Sequence, residues 1–344
     1  MKTSEWVSLG HSDKTADFVS EYILDRIFEM DSHVRYALEV QLKGNHAMLS
    51  GEISTSADLL AVLFQKWTRE AIAKVGYNAD YARKWGEDNV PNASKFDCSL
   101  HISTQSPDIA AGVDGEGWGD QGIFFGMAVR DASTHWMPKD IFLAREIGRE
   151  LYESEHCGLD IKTQVTIDDN GKPEEVIVAA PVLSDADLER VKMTAKFICM
   201  KHTGENPHSL IVNGTGKFVR HSTMGDCGVA GRKLAVDFYG GNCEIGGGSP
   251  WTKDCTKADL TLNAYARKLA FDYLMAKSSL NVVKCRISCC IGYHEIFIQF
   301  MDGENHVLDT YKEEATPRWL AESLGLLKPC LADICREGIP YAIV

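Results

Sequence analysis

The sequence predicts an α/β fold of the α+β kind, made of three structurally similar units, and three observations predict it. A helix–hairpin–helix–strand order recurs along the 344 residues. One hairpin strand alternates apolar and polar residues without a break. Tight-turn dipeptides stand where the hairpins need them. A sheet with one apolar face must bury that face, so each unit is expected to pack helices on one side of a mixed sheet.

The first unit opens with a helix over 15–30, where Ala16, Val19, Ile23, Ile27 and Met30 fall at helical spacing and should form one buried stripe. Residues 34–43 then alternate. Val34, Tyr36, Leu38, Val40 and Leu42 mark the inward face, while Arg35, Glu39, Gln41 and Lys43 lie on the outward one. Gly44-Asn45 turns the chain into a second strand near 46–55, a helix follows at 57–74, and a strand at 96–104. The order returns with a helix at 140–156, strands at 161–169 and 173–181 around Asn170-Gly171, a helix at 184–201 and a strand at 208–213. It returns again with a helix from 260 to 277, strands at 281–291 and 295–301, and helices after Pro317. These repeats predict domains at 1–104, 119–217 and 218–344, with 105–118 as the loop between the first two.

Composition narrows the function. The net charge of −13 argues against nucleic acid or an anionic membrane as the main partner, since neither attracts an acidic surface. No apolar run reaches the ~20 residues of a membrane span, and the N-terminal segment has no signal-peptide pattern, so the expected location is the cytoplasm. Eleven scattered cysteines contain no CxxC pair. Cys285, Cys289 and Cys290 are either a metal site or, in a reducing compartment, ordinary buried thiols on a strand.

Chemistry concentrates between the repeated elements. Gly10-His11-Ser12-Asp13-Lys14 precedes the first helix. Ser12 or Asp13 could be its cap, or the group could bind phosphate and Mg²⁺ at the helix start. The strongest segment runs from 213 to 259. Between 217 and 257 it carries six Lys or Arg against four acids, a balance of +2 in a chain of −13. Cations interspersed with carboxylates in glycine-rich loops suit a polyphosphate with its metal; the alternative is a solvated loop with balanced charges.

Within that segment, MGDCGVAGRKLAVDFYGG at 224–241, a following GGG, and Lys253, Asp254 and Lys257 resemble the signature of the S-adenosylmethionine synthetase family. The resemblance extends in order through GHSDKTAD at 10–17, GEISTSA at 51–57, TQSPDIAAGVD at 104–114, GDQG at 119–122 and DIKTQVT at 160–166. It implies an enzyme in which methionine sulfur attacks C5′ of ATP and the triphosphate is cut to pyrophosphate and phosphate. It also implies two Mg²⁺ and a K⁺ per site, and a homodimer or dimer of dimers with shared sites.

Residue by residue, the resemblance implies His11 at the ribose–triphosphate junction, Asp13 and Asp259 as Mg²⁺ ligands, and Glu39 as the K⁺ ligand. Glu52, Gln105, Asp120 and Lys257 would hold methionine, and Asp226 would touch both substrates. Asp160, Lys162, Lys217 and Phe218 would hold the nucleotide, with Arg232, Lys233, Ser249 and Lys253 around the triphosphate. His11, Lys162, Arg232 and Lys253 would carry the catalytic step. The chain departs from the family pattern at Leu9 (usually Glu), Ser12 (usually Pro), Gly214 (usually Pro), Lys217 (usually Arg) and Pro250-Trp251-Thr252, which replaces a Phe-Ser-Gly-like approach to Lys253. A triphosphate hydrolase would need no methionine pocket, and a non-catalytic subunit would be expected to have lost charged ligands. Residues 104–119, rich in glycine, are expected to close over both substrates as a lid.

Overall fold

The computed structural model describes residues 1–104 and 117–344. Its elements in chain order begin with β1 (Lys2–Val7), α1 (Ser12–Phe28), β2 (Arg35–Lys43), β3 (His46–Ser54), α2 (Ala61–Val75), α3 (Ala79–Trp85) and β4 (Asp97–Ser103). Next come β5 (Gly122–Val129), α4 (Lys139–Glu153), β6 (Lys162–Ile167), β7 (Pro173–Ala179), α5 (Asp185–Thr203) and β8 (Ser209–Val212). The last third holds β9 (Gly228–Val229), α6 (Leu234–Asp237), α7 (Ala258–Ala276), β10 (Val282–Cys289), β11 (Glu295–Met301) and β12 (Val307–Glu314). The helices α8 (Pro317–Ser323), α9 (Leu331–Glu337) and α10 (Ile339–Ala342) end the chain.

Among the described residues three sheets form, in the orders β4-β3-β2-β9, β1-β6-β7-β8 and β12-β11-β10-β5. In each, a hairpin at the centre is flanked on one side by a strand from another third of the chain. β1 pairs antiparallel with β6, β5 with β10, and β9 with β2. Sheet membership therefore cuts across sequence positions 104 and 217: β1 belongs to the second sheet and β5 to the third. The first two sheets carry a parallel strand, β4 on β3 and β8 on β7, each reached through a helical crossover. The third is antiparallel throughout, because only the short 302–306 turn joins β11 to β12.

The alternating residues of β2 face inward as expected: Val34, Tyr36, Leu38, Val40 and Leu42 are all buried. α1 differs from its expected single stripe. Every residue from Ser12 to Asp25 is buried, and Met30, beyond the helix end, is exposed. The cause is tertiary: α1 is covered by α2, α9, β2 and β9 together. Its charged residues are consequently used inside the protein. Asp25 accepts the backbone N–H groups of Leu331 and Ala332 at 3.0 and 2.9 Å and so caps α9, an element over 300 residues away in sequence.

Candidate active site

The start of α1 gathers many of the charged residues that the motifs single out. His11 is the N-cap, with its Nδ1 accepting the Asp13 N–H at 3.2 Å; neither Ser12 nor Asp13 has that role. The Asp13 carboxylate turns instead to the 226–233 segment, which β9 brings against β2. It accepts the Val229 N–H at 2.8 Å and bonds Lys233 Nζ, with Arg232 at 3.9 Å. Burial alone would raise the Asp13 carboxyl, but Lys233 and the Val229 N–H outweigh it and hold it low.

Burial first, then Lys233, pushes the His11 imidazole down to about 4, and Lys162 and Asp226 act on it as well. His11 is thus neutral at physiological pH. With Nδ1 accepting, its proton sits on Nε2 as a donor. Asp160 accepts the Ser222 N–H at 2.7 Å, and burial pushes its carboxyl up to about 6 with Asp226 and Asp13 adding to the effect. Lys162 pairs with Glu5 of β1 at 2.7 Å.

A second group occupies the outward face of β2. Ala37 pairs with Glu52 on β3 and bridges to Lys253 on its other side, so Glu39, Glu52 and Lys253 share that face. The Thr252 hydroxyl donates to Glu39 at 3.1 Å, and Lys253 Nζ bonds Asp259 in the first turn of α7. Lys257 is the residue at the N-cap of that helix. Gly248 lies directly against the Asp259 carboxylate, which a Cβ at that position would displace. Ser249 accepts the Trp251 N–H at 3.2 Å and lies against Gly231, which ties the two groups together. Asp120 is exposed beside Cys289, whose thiol donates to its carbonyl at 3.4 Å; the charges of Asp120 and Asp259 both reach that thiol.

Other residues lie elsewhere. Lys217 pairs with Asp185 at the start of α5 at 3.0 Å rather than with an acid of these groups, and Phe218 follows it with its carbonyl accepting the Val182 N–H. Gln105 and most of the expected lid, residues 105–116, lie outside the described residues. At the far end of that segment Trp118 is fully buried and exchanges backbone hydrogen bonds with Gly292 and Tyr293. Of the cysteine trio, Cys285 is buried in the third sheet's core and Cys290 is exposed. A cleft of ≈ 560 Å³ lined by Ile53, Ser54, Leu59, Phe64, Ile102 and Ser103 opens at the ends of β3 and β4.

Sequence reasoning missed a buried layer under the site. Lys14 is held between Asp17 at 3.0 Å and Asp237 at 2.5 Å, and Trp251 Nε1 donates to Asp237 at 2.7 Å. Burial disfavours the Lys14 cation, but the two carboxylates outweigh it and raise its pKa. Glu21 accepts the Thr252 N–H at 2.6 Å. The available signal was the run Lys14, Asp17, Glu21 and Asp25, charges at i, i+3 and i+4 spacing along a helix otherwise rich in apolar residues.

The donor set fits hard cations. Asp13 and Asp259 are carboxylates at helix starts, each already balanced by a lysine that a polyphosphate could draw away, which suits an ion that keeps several waters and one or two carboxylates. Glu39 with the Thr252 hydroxyl offers oxygen ligands of the kind a monovalent cation takes.

Fold and site together define a class: an α+β protein of three interlocked sheets, with cations and carboxylates from all three thirds of the chain converging near two helix starts. Family models for the S-adenosylmethionine synthetase N-terminal, central and C-terminal domains match residues 1–107, 115–218 and 221–339. The chain is 36% identical over 368 aligned positions to the S-adenosylmethionine synthase of Granulibacter bethesdensis, covering 98% of this chain and 90% of that one. It is 34% identical to the corresponding synthase of Wolinella succinogenes, covering 98% and 91%. The solved structure of an unusual S-adenosylmethionine synthetase from Campylobacter jejuni superposes with a TM-score of 0.84 at 27% identity, over 99% of this chain and 96% of the other. The chain belongs to the S-adenosylmethionine synthetase family.

Proposed function

We infer that this protein joins ATP to methionine through sulfur, giving S-adenosylmethionine and releasing the triphosphate as pyrophosphate and phosphate. The observation that carries this reading is the convergence on His11 and Asp13 of Lys162 from β6 and of Asp226, Arg232 and Lys233 from the 226–233 segment. Methionine sulfur is a neutral nucleophile, so the reaction needs no general base. It needs alignment at C5′ and stabilisation of the charge that develops on the leaving triphosphate.

His11, neutral with Nε2–H outward, would donate to the oxygen that bridges C5′ to the triphosphate. Arg232, Lys233 and Lys253 would take the phosphate oxygens, and Ser249 would line the same path. Asp160 and Lys162 would hold the nucleotide, with Lys217 and Phe218 at the adenine; Asp226 would contact both substrates. Glu52, Gln105, Asp120 and Lys257 would form the methionine side. Mg²⁺ held at Asp13 and Asp259 would neutralise triphosphate charge, and K⁺ at Glu39 would order the β2 face against Thr252. The product sulfonium is a cation, so carboxylates nearby stabilise it as well.

A homodimer or dimer of dimers with shared sites fits the outer face of the third sheet, where Ile123 and Phe297, both paired with Ser288 of β10, are exposed. Cytoplasmic residence fits the substrates; among the described residues no helix is long and apolar enough to cross a membrane.

The test is a steady-state assay of product and phosphate release with ATP, with and without methionine. S-adenosylmethionine formation that requires Mg²⁺ and rises with K⁺ is expected. Phosphate release indifferent to methionine would make the protein a triphosphate hydrolase, and full activity in EDTA would remove the metal roles of Asp13 and Asp259.

A further inference from the structure

Three loops carry the nucleotide side of the site: Gly10-His11, Gly158–Asp160 and Val219–Ser222. All three are fastened to one aromatic group, Tyr77, Tyr81 and Trp85, around α3. Tyr77 donates its hydroxyl to the Gly10 carbonyl at 2.5 Å. The Tyr81 oxygen accepts the Leu159 N–H at 2.9 Å. His221, only 2% exposed, lies edge-on to Trp85 with ring centroids 5.0 Å apart, and its Nε2 is 2.7 Å from the Tyr81 oxygen. Its other nitrogen, Nδ1, is 2.6 Å from the Val219 carbonyl.

The donors and acceptors admit one assignment. A carbonyl only accepts, so Nδ1 carries the imidazole proton and Nε2 is bare. Tyr81 already accepts from Leu159, and its own proton goes to Nε2. A directed chain results: Leu159 N–H to Tyr81, Tyr81 O–H to His221, His221 Nδ1–H to Val219. Burial supports the neutral ring that this chain demands, pushing the His221 imidazole down to about 4.

The residue after His221 shows what the chain controls. Ser222 is fully buried with φ +53, a left-handed backbone that a non-glycine residue adopts only when its surroundings impose it. In that conformation its N–H points to the Asp160 carboxylate at 2.7 Å. Gly158 completes the fit, since a Cβ there would come within 3.0 Å of both the Tyr81 hydroxyl and the His221 ring.

We propose that His221 is a positioning residue for nucleotide binding: clamped between the Tyr81 hydroxyl and the Val219 carbonyl, it holds Ser222 in the conformation that aims the Asp160 carboxylate. The proposal rests on the reading that Asp160 holds the nucleotide. Methionine-side residues such as Glu52 and Asp120 lie on other elements and take no part.

The experiment compares the full-length wild type with His221→Phe and with Tyr81→Phe, which keeps the ring and removes only the hydroxyl. Binding of a non-hydrolysable ATP analogue is measured by titration calorimetry, and KM for ATP and for methionine is measured separately. Loss of one such hydrogen bond corresponds to a change of about threefold to tenfold. Each variant is expected to weaken analogue binding and raise KM for ATP by that factor, leaving KM for methionine unchanged. The double variant should be no worse than the worse single one, because both break the same chain. Variants that lose thermal stability yet bind the analogue as wild type does would overturn the proposal and leave the activity standing. If His221→Phe fails to fold, Tyr81→Phe alone decides by the same criterion. A wild-type chain that fails to bind the analogue overturns both the functional reading and the proposal.

Discussion

At the scale of single residues, the site works by deciding which groups are charged. His11 is kept neutral by burial and Lys233, whereas Asp13 is kept ionised by Lys233 and a backbone N–H. A neutral imidazole donates to a leaving oxygen without carrying a charge that would bind the triphosphate equally well before and after the bond breaks. His11→Asn and Lys253→Met are therefore expected to lower kcat far more than they raise KM. The loss of one donor that acts on the developing charge costs about 2.7–4 kcal/mol, roughly a hundred- to thousandfold in rate. Steady-state kinetics checks this, and near-normal turnover in either variant would place that residue outside the reacting region. The candidate site residues were proposed from motif and spacing. The buried Lys14–Asp17–Asp237 layer was not. Charges at helical spacing normally mark a solvated face, and only the covering of α1 from all sides reverses that meaning.

Among elements, the hairpins and their following helices agree closely with the sequence pattern, because period-2 alternation and Asn-Gly or Gly-Asn turns report local geometry. The strands that escaped notice are β1, β5 and β9, which join a sheet from another third of the chain, and β12. A strand such as β9, two residues long, contains no periodicity to read. β12 is exposed along nearly its whole length and so lacks an apolar face. β5 also shows how tightly these added strands are fixed. A Cβ on Gly126 would stand about 2.0 Å from the backbone carbonyl carbon of Ala266 in α7, with no flexible side chain to yield. Gly126→Ala is expected to destabilise the protein by about 1–3 kcal/mol or more, read as a lower urea midpoint. An unchanged midpoint would mean that α7 can move off the third sheet at little cost.

For the whole molecule, the exchange of strands makes the three units depend on one another. The second sheet needs β1 from the N-terminus, and the residues after 117 give β5 away to the third sheet. A fragment of residues 119–217 would keep α4, α5 and the β6–β7–β8 strands but expose the edge of β6 that β1 covers. It is expected to show neither a cooperative thermal transition nor dispersed NMR resonances, while the full chain unfolds as a unit. A well-folded fragment would show that β1 is dispensable and that the sequential boundaries at 119 and 217 suffice.

The sequence by itself determined the α+β class, the threefold recurrence, the family and the roster of charged residues, because each is written in short-range periodicity or in contiguous motifs. Tertiary structure alone decided which residues meet. It set β9 on β2 so that Lys233 reaches Asp13. It also sent Lys217 to Asp185 and buried His221 against Tyr81. Those pairings span up to about 220 residues of chain, and no local pattern encodes a contact between segments that far apart; only the packing of the three sheets does.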